Sequence, residues 1–239
     1  MTSVTVEVPN SSSLTAELHL PDGPGPHPGV VILHELFGFN SDIRRIAQRF
    51  ADNGYAAICP DLYSQGNRAS CLTAILSAMA KNRYDLRMTP IVAARDALAA
   101  HDNVDGERIG IAGFCQGGGF AVVAATNPGF KASAVFYGEV PEDQARLAGA
   151  CPVIASYGRK DKVMGAKTVK RLDDHLTALG VTHEIKVYDD AGHSFMSSYD
   201  GATKVLAKFP TPMHVGYNEA AAEDSWERML TFFGTHVAG

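Results

Sequence analysis

The sequence predicts an α/β fold, in which a mostly parallel, twisted sheet of about seven or eight strands carries helices on both faces. The first observation is a set of unbroken apolar runs, such as residues 29–33, which is typical of strands covered on both faces. The second is that these runs alternate along the chain with segments of helical periodicity. The third is size, since 239 residues, of which 46% are hydrophobic, suffice for a large core. We expect one domain spanning residues 1–239.

The first two strands are predicted at residues 4–8 and 14–20, as an antiparallel pair at the edge of the sheet joined by a serine turn. The other strands are predicted at residues 29–33, 56–59, 109–113, 132–137, 152–157 and 183–188. Helices are predicted at residues 41–53, 88–100, 116–126, 167–179 and 220–233. Ser41 is expected to cap the first of these helices, and Gly54 and Gly234 are expected to stop the first and the last.

Charge and apolar pattern exclude several classes of function. The 21 Lys and Arg residues against 26 Asp and Glu give a net charge of −5, so we expect no nucleic-acid partner. No window reaches the roughly 18 consecutive apolar residues of a membrane helix, so we expect no membrane association. The first residues lack the basic and apolar regions of a signal peptide, which predicts a cytoplasmic protein. The composition leaves the oligomeric state open, and a monomer is compatible with it.

The four cysteines stand at positions 59, 71, 115 and 151, without a Cys-x-x-Cys pair and without a histidine at metal-ligand spacing. We therefore expect no metal site and free thiols. Only Cys115 has a chemical setting, because Gly113-Phe114-Cys115-Gln116-Gly117 stands between a predicted strand and a predicted helix. This Gly-x-nucleophile-x-Gly form is typical of a strained turn that exposes the nucleophile at the edge of the sheet. The alternative is a buried cysteine in a glycine-rich turn.

A cysteine nucleophile needs a base, and the base needs a group that orients it. Asp161 follows the predicted strand at residues 152–157, and His193 follows the predicted strand at residues 183–188. The order along the chain is therefore nucleophile, acid, histidine, as in α/β-hydrolases. Asp189 and Asp190 are rivals for the acid, but they lie in the same loop as His193 and are predicted to be solvated turn residues.

The segment His34-Glu35-Leu36-Phe37-Gly38 ends the first buried strand. By position, the backbone N–H of Leu36 would join that of Gln116, at a helix N-terminus, in binding an oxyanion. Glu35 is unusual, because a carboxylate at the end of a buried strand needs a partner or a raised pKa. Two interpretations stay open for Glu35: a salt bridge within the loop, or direct contact with the nucleophile thiol.

With these motifs, the chain resembles the dienelactone hydrolase family of α/β-hydrolases, whose members include carboxymethylenebutenolidases, from about residue 28 to the end. The motifs that carry the resemblance are His34-Glu35-Leu36-Phe37-Gly38, Gly54-Tyr55-Ala56-Ala57, Pro60-Asp61-Leu62-Tyr63, Gly113-Phe114-Cys115-Gln116-Gly117-Gly118, Phe136-Tyr137-Gly138 and Ala191-Gly192-His193-Ser194-Phe195. The resemblance implies a cofactor-independent hydrolase of small-molecule esters or lactones.

The resemblance also implies roles for single residues. Cys115 would be the nucleophile, His193 the base and Asp161 its orienting partner. Glu35 would bond to the resting thiol and take its proton when substrate binds. The oxyanion would be held by the amides of Leu36 and Gln116, and a thioester would then be hydrolysed by water.

The sequence departs from the family at the site that would bind a substrate carboxylate. Family members hold this group with two arginines, one of them shortly after the His-Ser-Phe motif, where this chain has Ser197. Arg68, Arg83 and Arg87 are candidates for the other, but none matches the family pattern. The substrate-binding residues therefore stay unknown at this stage. A non-catalytic ligand-binding relative and a redox-active thiol protein are the alternative functions.

Overall fold

The computed structural model describes residues 1–81, 84, 88–199 and 211–239. Eight strands form one sheet in the order β1-β2-β4-β3-β5-β6-β7-β8. The strands are β1 (Thr2–Val6), β2 (Leu14–His19), β3 (His27–Leu33), β4 (Ala56–Pro60), β5 (Val104–Phe114), β6 (Ser133–Phe136), β7 (Val153–Gly158) and β8 (His183–Tyr188). The α-helices are α1 (Ser41–Asp52), α2 (Arg68–Ala80), α3 (Met88–Ala99), α4 (Gln116–Ala124), α5 (Ala166–Ala178) and α6 (Glu219–Phe233).

The predicted class is confirmed, because five of the seven strand pairings are parallel and only β1–β2 and β2–β4 are antiparallel. The central strands are apolar and fully covered, as in β3 and β4, where most residues are buried. Burial on both faces explains why these strands appear in the sequence as apolar runs without alternation.

One predicted helix cap is wrong, and one predicted stop, at Gly234, ends the α-helix without ending the helical conformation. The N-cap of α1 is Asn40 rather than Ser41, since the Asn40 side chain accepts the N–H groups of Asp42 and Ile43 at 3.0 and 3.1 Å. Gly234 does not leave the helical conformation, because its backbone has φ −55° and ψ −40°. The chain continues there into a π-helical turn, Gly234–Ala238, which buries Val237. Packing of Val237 near Gly110 of β5 therefore overrides the stop signal of the glycine.

The parallel strands β3, β5, β7 and β8 bring the loops that follow them to one edge of the sheet. These loops carry Glu35, Cys115, Asp161 and His193. None of the helices within the described residues is long and apolar enough to span a membrane. The same part of the chain holds no cluster of His, Cys, Asp and Glu suited to a metal ion.

Candidate active site

Cys115 occupies a strained turn between β5 and α4. Its backbone has φ 53° and ψ −115°, outside the regions that a residue with a side chain normally adopts. The glycines on either side are required by close approach: a Cβ added to Gly113 would lie 2.0 Å from the Gly117 carbonyl oxygen, and one added to Gly117 would lie 2.3 Å from that of Leu33. The Cys115 side chain remains half-buried, so it is accessible from the edge of the sheet.

His193 and Asp161 form a buried pair in the loops after β8 and β7. His193 Nδ1 lies 2.6 Å from Asp161 Oδ2, so the ring donates its Nδ1 proton to the carboxylate. The other carboxylate oxygen accepts the backbone N–H groups of Val163 and Met164 at 2.9 and 3.0 Å. The backbone N–H of His193 donates to the Met213 carbonyl at 2.8 Å. This geometry leaves His193 Nε2 as the ring atom available to Cys115.

The charges of this pair shift both ionisation equilibria. Burial alone would raise the pKa of Asp161, but His193 and the two backbone N–H groups hold this pKa below its usual range. Burial alone would lower the pKa of His193, but Cys115 and Asp161 outweigh it and raise the pKa to about 10. His193 Nε2 is buried and has no hydrogen-bond partner among the described residues. Cys115 and Asp161 are thus the two groups that favour the protonated ring.

The rival acids lie elsewhere. Asp189 and Asp190 are exposed, and each is paired with a surface cation, Arg159 and Lys160 respectively. This location agrees with their prediction as solvated turn residues.

Glu35 lies beside this pair, but its carboxylate has other partners than those expected. Ser197 Oγ donates to Glu35 Oε1 at 2.9 Å, and the Tyr199 hydroxyl donates to Oε2. Burial raises the pKa of Glu35, although the two hydroxyls oppose the shift. Within the described ranges, Glu35 forms neither an ion pair nor a hydrogen bond to Cys115, so neither interpretation from the sequence describes its contacts here.

The loop that carries Leu36 is fixed against the elbow by Tyr63. The Tyr63 hydroxyl lies 2.9 Å from the Leu36 carbonyl and 3.2 Å from Gln116 Oε1. Gln116 is the first residue of α4, so its N–H has no partner in the preceding turn of the helix. Tyr63 thus links the loop that carries Leu36 to the first residue of α4.

His34 supports this loop from below as a neutral side chain. Its Nδ1 lies 2.7 Å from the Glu35 carbonyl, and its Nε2 accepts the Leu62 N–H at 3.2 Å. Because one nitrogen donates and the other accepts, the ring carries a single proton. Burial lowers the pKa of His34, which agrees with this state.

Of the three candidate arginines, only Arg68 falls within the described residues, and Arg83 and Arg87 lie outside them. Arg68 Nη2 donates to the Phe37 carbonyl at 3.0 Å, and its guanidinium lies 5.5 Å from the centroid of the Tyr63 ring. Arg68 is therefore at the rim of the site, engaged with the loop that carries Leu36.

Sequence reasoning missed Tyr137 and Tyr199 as members of the site. The Tyr137 ring lies 5.0 Å from the His193 ring, and its hydroxyl is 3.3 Å from Ser197 Oγ. Tyr137 directly follows the buried strand β6, a position that could have drawn attention to it. Tyr199 has no such signal, because it stands in an irregular segment after His193.

The strand order, the elbow and the carboxyl-edge location of the polar residues define this chain as an α/β-hydrolase. The model of the family described as "Dienelactone hydrolase family" matches residues 14–237. The chain therefore belongs to the dienelactone hydrolase family, and it is a hydrolase of that family.

Named relatives agree with this membership. A Salmonella typhimurium protein named "Putative carboxymethylenebutenolidase" is 32% identical over 227 residues, which cover 89% of this chain and 78% of the relative. The crystal structure of a dienelactone hydrolase-like promiscuous phosphotriesterase from metagenomic libraries superposes with a TM-score of 0.80 at 28% identity. That alignment covers 98% of each chain.

Proposed function

We propose that this protein is a cofactor-independent hydrolase that cleaves small-molecule carboxylic esters or lactones through a Cys115-His193-Asp161 triad. The observation that carries the proposal is the strained, accessible Cys115 beside a histidine already oriented by a buried carboxylate. A carboxylate that binds Nδ1–H fixes the tautomer in which Nε2 can take a proton. Family membership and the relatives' names support the choice of lactones and esters.

In the first half-reaction, the proton of the Cys115–His193 pair lies on His193 Nε2, and the Cys115 sulfur attacks the carbonyl carbon as a thiolate. The resulting oxyanion lies against the backbone N–H groups of Leu36 and Gln116, which stabilise the negative charge as it forms. The carbon–oxygen bond then breaks, the leaving oxygen takes the proton from His193, and a thioester to Cys115 remains.

In the second half-reaction, water gives a proton to His193 Nε2 and attacks the thioester carbon. The oxyanion forms again in the same place, the carbon–sulfur bond breaks, and the proton stays on His193 beside the Cys115 sulfur. The product is a carboxylic acid, and the Cys115–His193 pair is restored. Asp161 stabilises the imidazolium in both halves without itself taking a proton.

The test is hydrolysis of a panel of lactones and aryl esters by the wild type and the Cys115→Ala variant. We expect Cys115→Ala to lower kcat by on the order of 10³-fold or more, because the covalent intermediate can no longer form. Cys151→Ala is the matched control, since Cys151 is half-buried like Cys115 but lies outside the site.

A second measurement follows the acyl-enzyme itself. Mass spectrometry after rapid quenching should detect an acyl group on Cys115 with slowly hydrolysed esters. Near-normal turnover by Cys115→Ala would contradict the mechanism. An absence of turnover by the wild type across the whole panel would favour a ligand-binding role.

A further inference from the structure

Strand β8 forms one edge of the sheet, and among the described residues it has a neighbouring strand on one side only. All six residues of β8 are at least partly exposed, whereas all six residues of the adjacent strand β7 are buried. An edge strand presents a row of unpaired N–H and C=O groups, which can pair with a strand of another chain. This edge of the sheet is therefore accessible to a partner.

The hydrogen bonds to β7 show which backbone groups of β8 point outward. The carbonyls of Thr182 and Tyr188, at the two ends of β8, accept N–H groups from the start of β7 and from the residue after it, at 3.0 and 2.9 Å. Successive residues of a strand direct their backbone groups to opposite sides. The even-numbered residues of β8 therefore face β7, and the N–H and C=O groups of His183, Ile185 and Val187 face away from the sheet.

One face of β8 carries two opposite charges. Glu184 pairs with Arg228 of α6 at 3.0 Å, and Lys186 pairs with Asp224 of α6 at 2.8 Å. The Glu184 and Lys186 side chains nevertheless remain 55% and 42% exposed. Both charges are therefore within reach of a strand that pairs with β8.

The other face of β8 borders a groove of about 760 Å³ between β8 and α5. Ile185 and Val187 of β8 and Val169 of α5 form an apolar part of its lining. Val163 lines the same groove and is 52% exposed, so apolar surface remains in contact with water here. An added strand with apolar side chains on this face would bury that surface, which is favourable.

The charges select one way of pairing β8 with a second copy of itself. A two-fold axis makes the pairing antiparallel, and the outward groups require odd-numbered residues to lie opposite odd-numbered residues. With Ile185 opposite Ile185 of the second copy, Glu184 lies opposite Lys186 of the second copy, in the pairs whose side chains are closest. The next register on one side places Glu184 opposite Glu184, and the next on the other side places Lys186 opposite Lys186. Like charges directly opposite each other are destabilising, so of these three registers the one centred on Ile185 is favoured.

We propose that β8 is the interface of a two-fold symmetric dimer, in which β8 of a second copy continues the sheet in the register centred on Ile185. Glu184 of each copy then lies between Arg228 of its own chain and Lys186 of the other, so that positive and negative charges alternate across the interface. The groove beside α5 receives Ile185 and Val187 of the second copy. Strand β1, at the opposite edge, carries no charged residue, so charge selects no register there. The dimer does not depend on the proposed catalytic function.

The test is the mass of the protein in solution, measured by sedimentation equilibrium over a range of protein concentrations. We expect the wild type to reach twice the mass of one chain. Glu184→Lys and Lys186→Glu each place like charges in both cross-strand pairs, so each should raise the Kd of the dimer by about tenfold or more. Glu107→Lys is the matched control, because it makes the same charge change at an exposed residue of β5 that also has an ion pair, to Lys131.

An equimolar mixture of Glu184→Lys and Lys186→Glu separates the interface from changes within each chain. In the mixed dimer opposite charges again face each other in both cross-strand pairs, so we expect the dimer to be restored. The ion pairs to α6 that each substitution breaks stay broken in the mixture, so they cannot account for such a recovery. A wild type that is monomeric at every concentration would overturn the proposal, as would a dimer that Glu184→Lys leaves intact. A mixture of the two folded variants that stays monomeric would overturn it as well.

Discussion

The pKa of His193 is set by opposing effects, since burial lowers it and neighbouring groups raise it. The residue is 2% exposed, and burial of an imidazolium is unfavourable, yet its pKa rises to about 10. Cys115 and Asp161 supply the favourable charges, and Asp161 is itself held ionised by two backbone N–H groups. His193 therefore holds its proton firmly next to the Cys115 sulfur, as attack by a thiolate requires.

We expect Asp161→Asn to lower kcat by on the order of 10²-fold to 10⁴-fold, because the amide disfavours the required tautomer of His193 and no longer stabilises the imidazolium. The pKa of His193 should fall in this variant, which can be followed by NMR titration of the ring. Asp189→Asn is the control, since Asp189 is exposed in the same region and pairs with Arg159. Equal kcat values in wild type and Asp161→Asn would remove Asp161 from the triad.

The presence of Ser197 leads to a second prediction, which concerns the charge of the preferred substrate. A buried serine hydroxyl contributes about 1 kcal/mol as a neutral donor, against about 1.5–3 kcal/mol for a charged one, and here it is already engaged with Glu35. A substrate carboxylate entering the site would also meet the Glu35 carboxyl group, which supplies no positive charge to bind it. We therefore predict a preference of about tenfold or more for neutral esters and lactones over carboxylate-bearing ones, relative to family members with both arginines.

The measurement compares kcat/KM for a dienelactone carboxylate and its methyl ester. Arg68→Gln is measured alongside, because Arg68 lies at the rim of the site and could approach an anionic substrate. A clear preference for the free acid that disappears in Arg68→Gln would contradict the prediction and assign the anion site to Arg68.

At the scale of elements, the strand–turn–helix unit β5–Cys115–α4 determines where the nucleophile stands. All nine residues of α4 are buried, and three of them are consecutive glycines, so the helix lies unusually close to the sheet. Gly118 approaches the Phe136 carbonyl of β6, where an added Cβ would lie 2.8 Å from the oxygen. The poor intrinsic helix propensity of glycine is thus offset by packing that no larger residue permits.

We predict that Gly113→Ala destabilises the protein strongly, on the order of 3 kcal/mol or more, because its Cβ would lie 2.0 Å from the Gly117 carbonyl oxygen. Gly234→Ala is the matched control, since its φ is −55° and an added Cβ has nothing within 4 Å. That substitution should stabilise by about 0.4–1 kcal/mol, because it restricts the unfolded chain. Urea unfolding measures both. Similar stabilities for the two variants would show that the elbow can relax.

At the scale of the whole molecule, ionisation of the site couples to folding. The pKa of His193 is raised from 6.5 to about 10 in the folded protein, so the folded state binds this proton more tightly than the unfolded chain. The resulting stabilisation is fully present below pH 6.5 and is lost as the pH rises through about 10. Glu35, whose pKa is also raised, contributes in the same direction at lower pH.

We therefore expect the free energy of unfolding to decline between pH 6.5 and about 10, by a few kcal/mol at most for this one group. Urea unfolding of wild type and His193→Gln across this range tests the expectation, because the variant lacks the titrating ring. Parallel pH profiles for the two proteins would contradict the assigned shift.

Much of the fold follows from local signals. The predicted strands agree with the observed ones to within a few residues, except that β5 begins at Val104 and is longer than its apolar centre. The apolar runs are recognisable because parallel strands are buried on both faces. The error at the cap of α1 arises because two good capping residues, Asn40 and Ser41, are adjacent. The last α-helix ends at Phe233 as predicted, but packing of the next turn keeps the chain helical past Gly234. The single-domain organisation stays a prediction.

The order of the strands and of the described α-helices other than α2 could be predicted from the amino-acid sequence, as could the elbow around Cys115 and the loops that carry Asp161 and His193. These follow from periodicity and from the rule that parallel strands end at a common edge. The tertiary structure alone decided the partners of Glu35, because Ser197 and Tyr199 lie in an irregular segment more than 160 residues further along. Contacts between distant loops depend on how the strands pack and on anchors such as the hydrogen bond from Arg45 to the Met196 carbonyl, and local sequence patterns do not encode them.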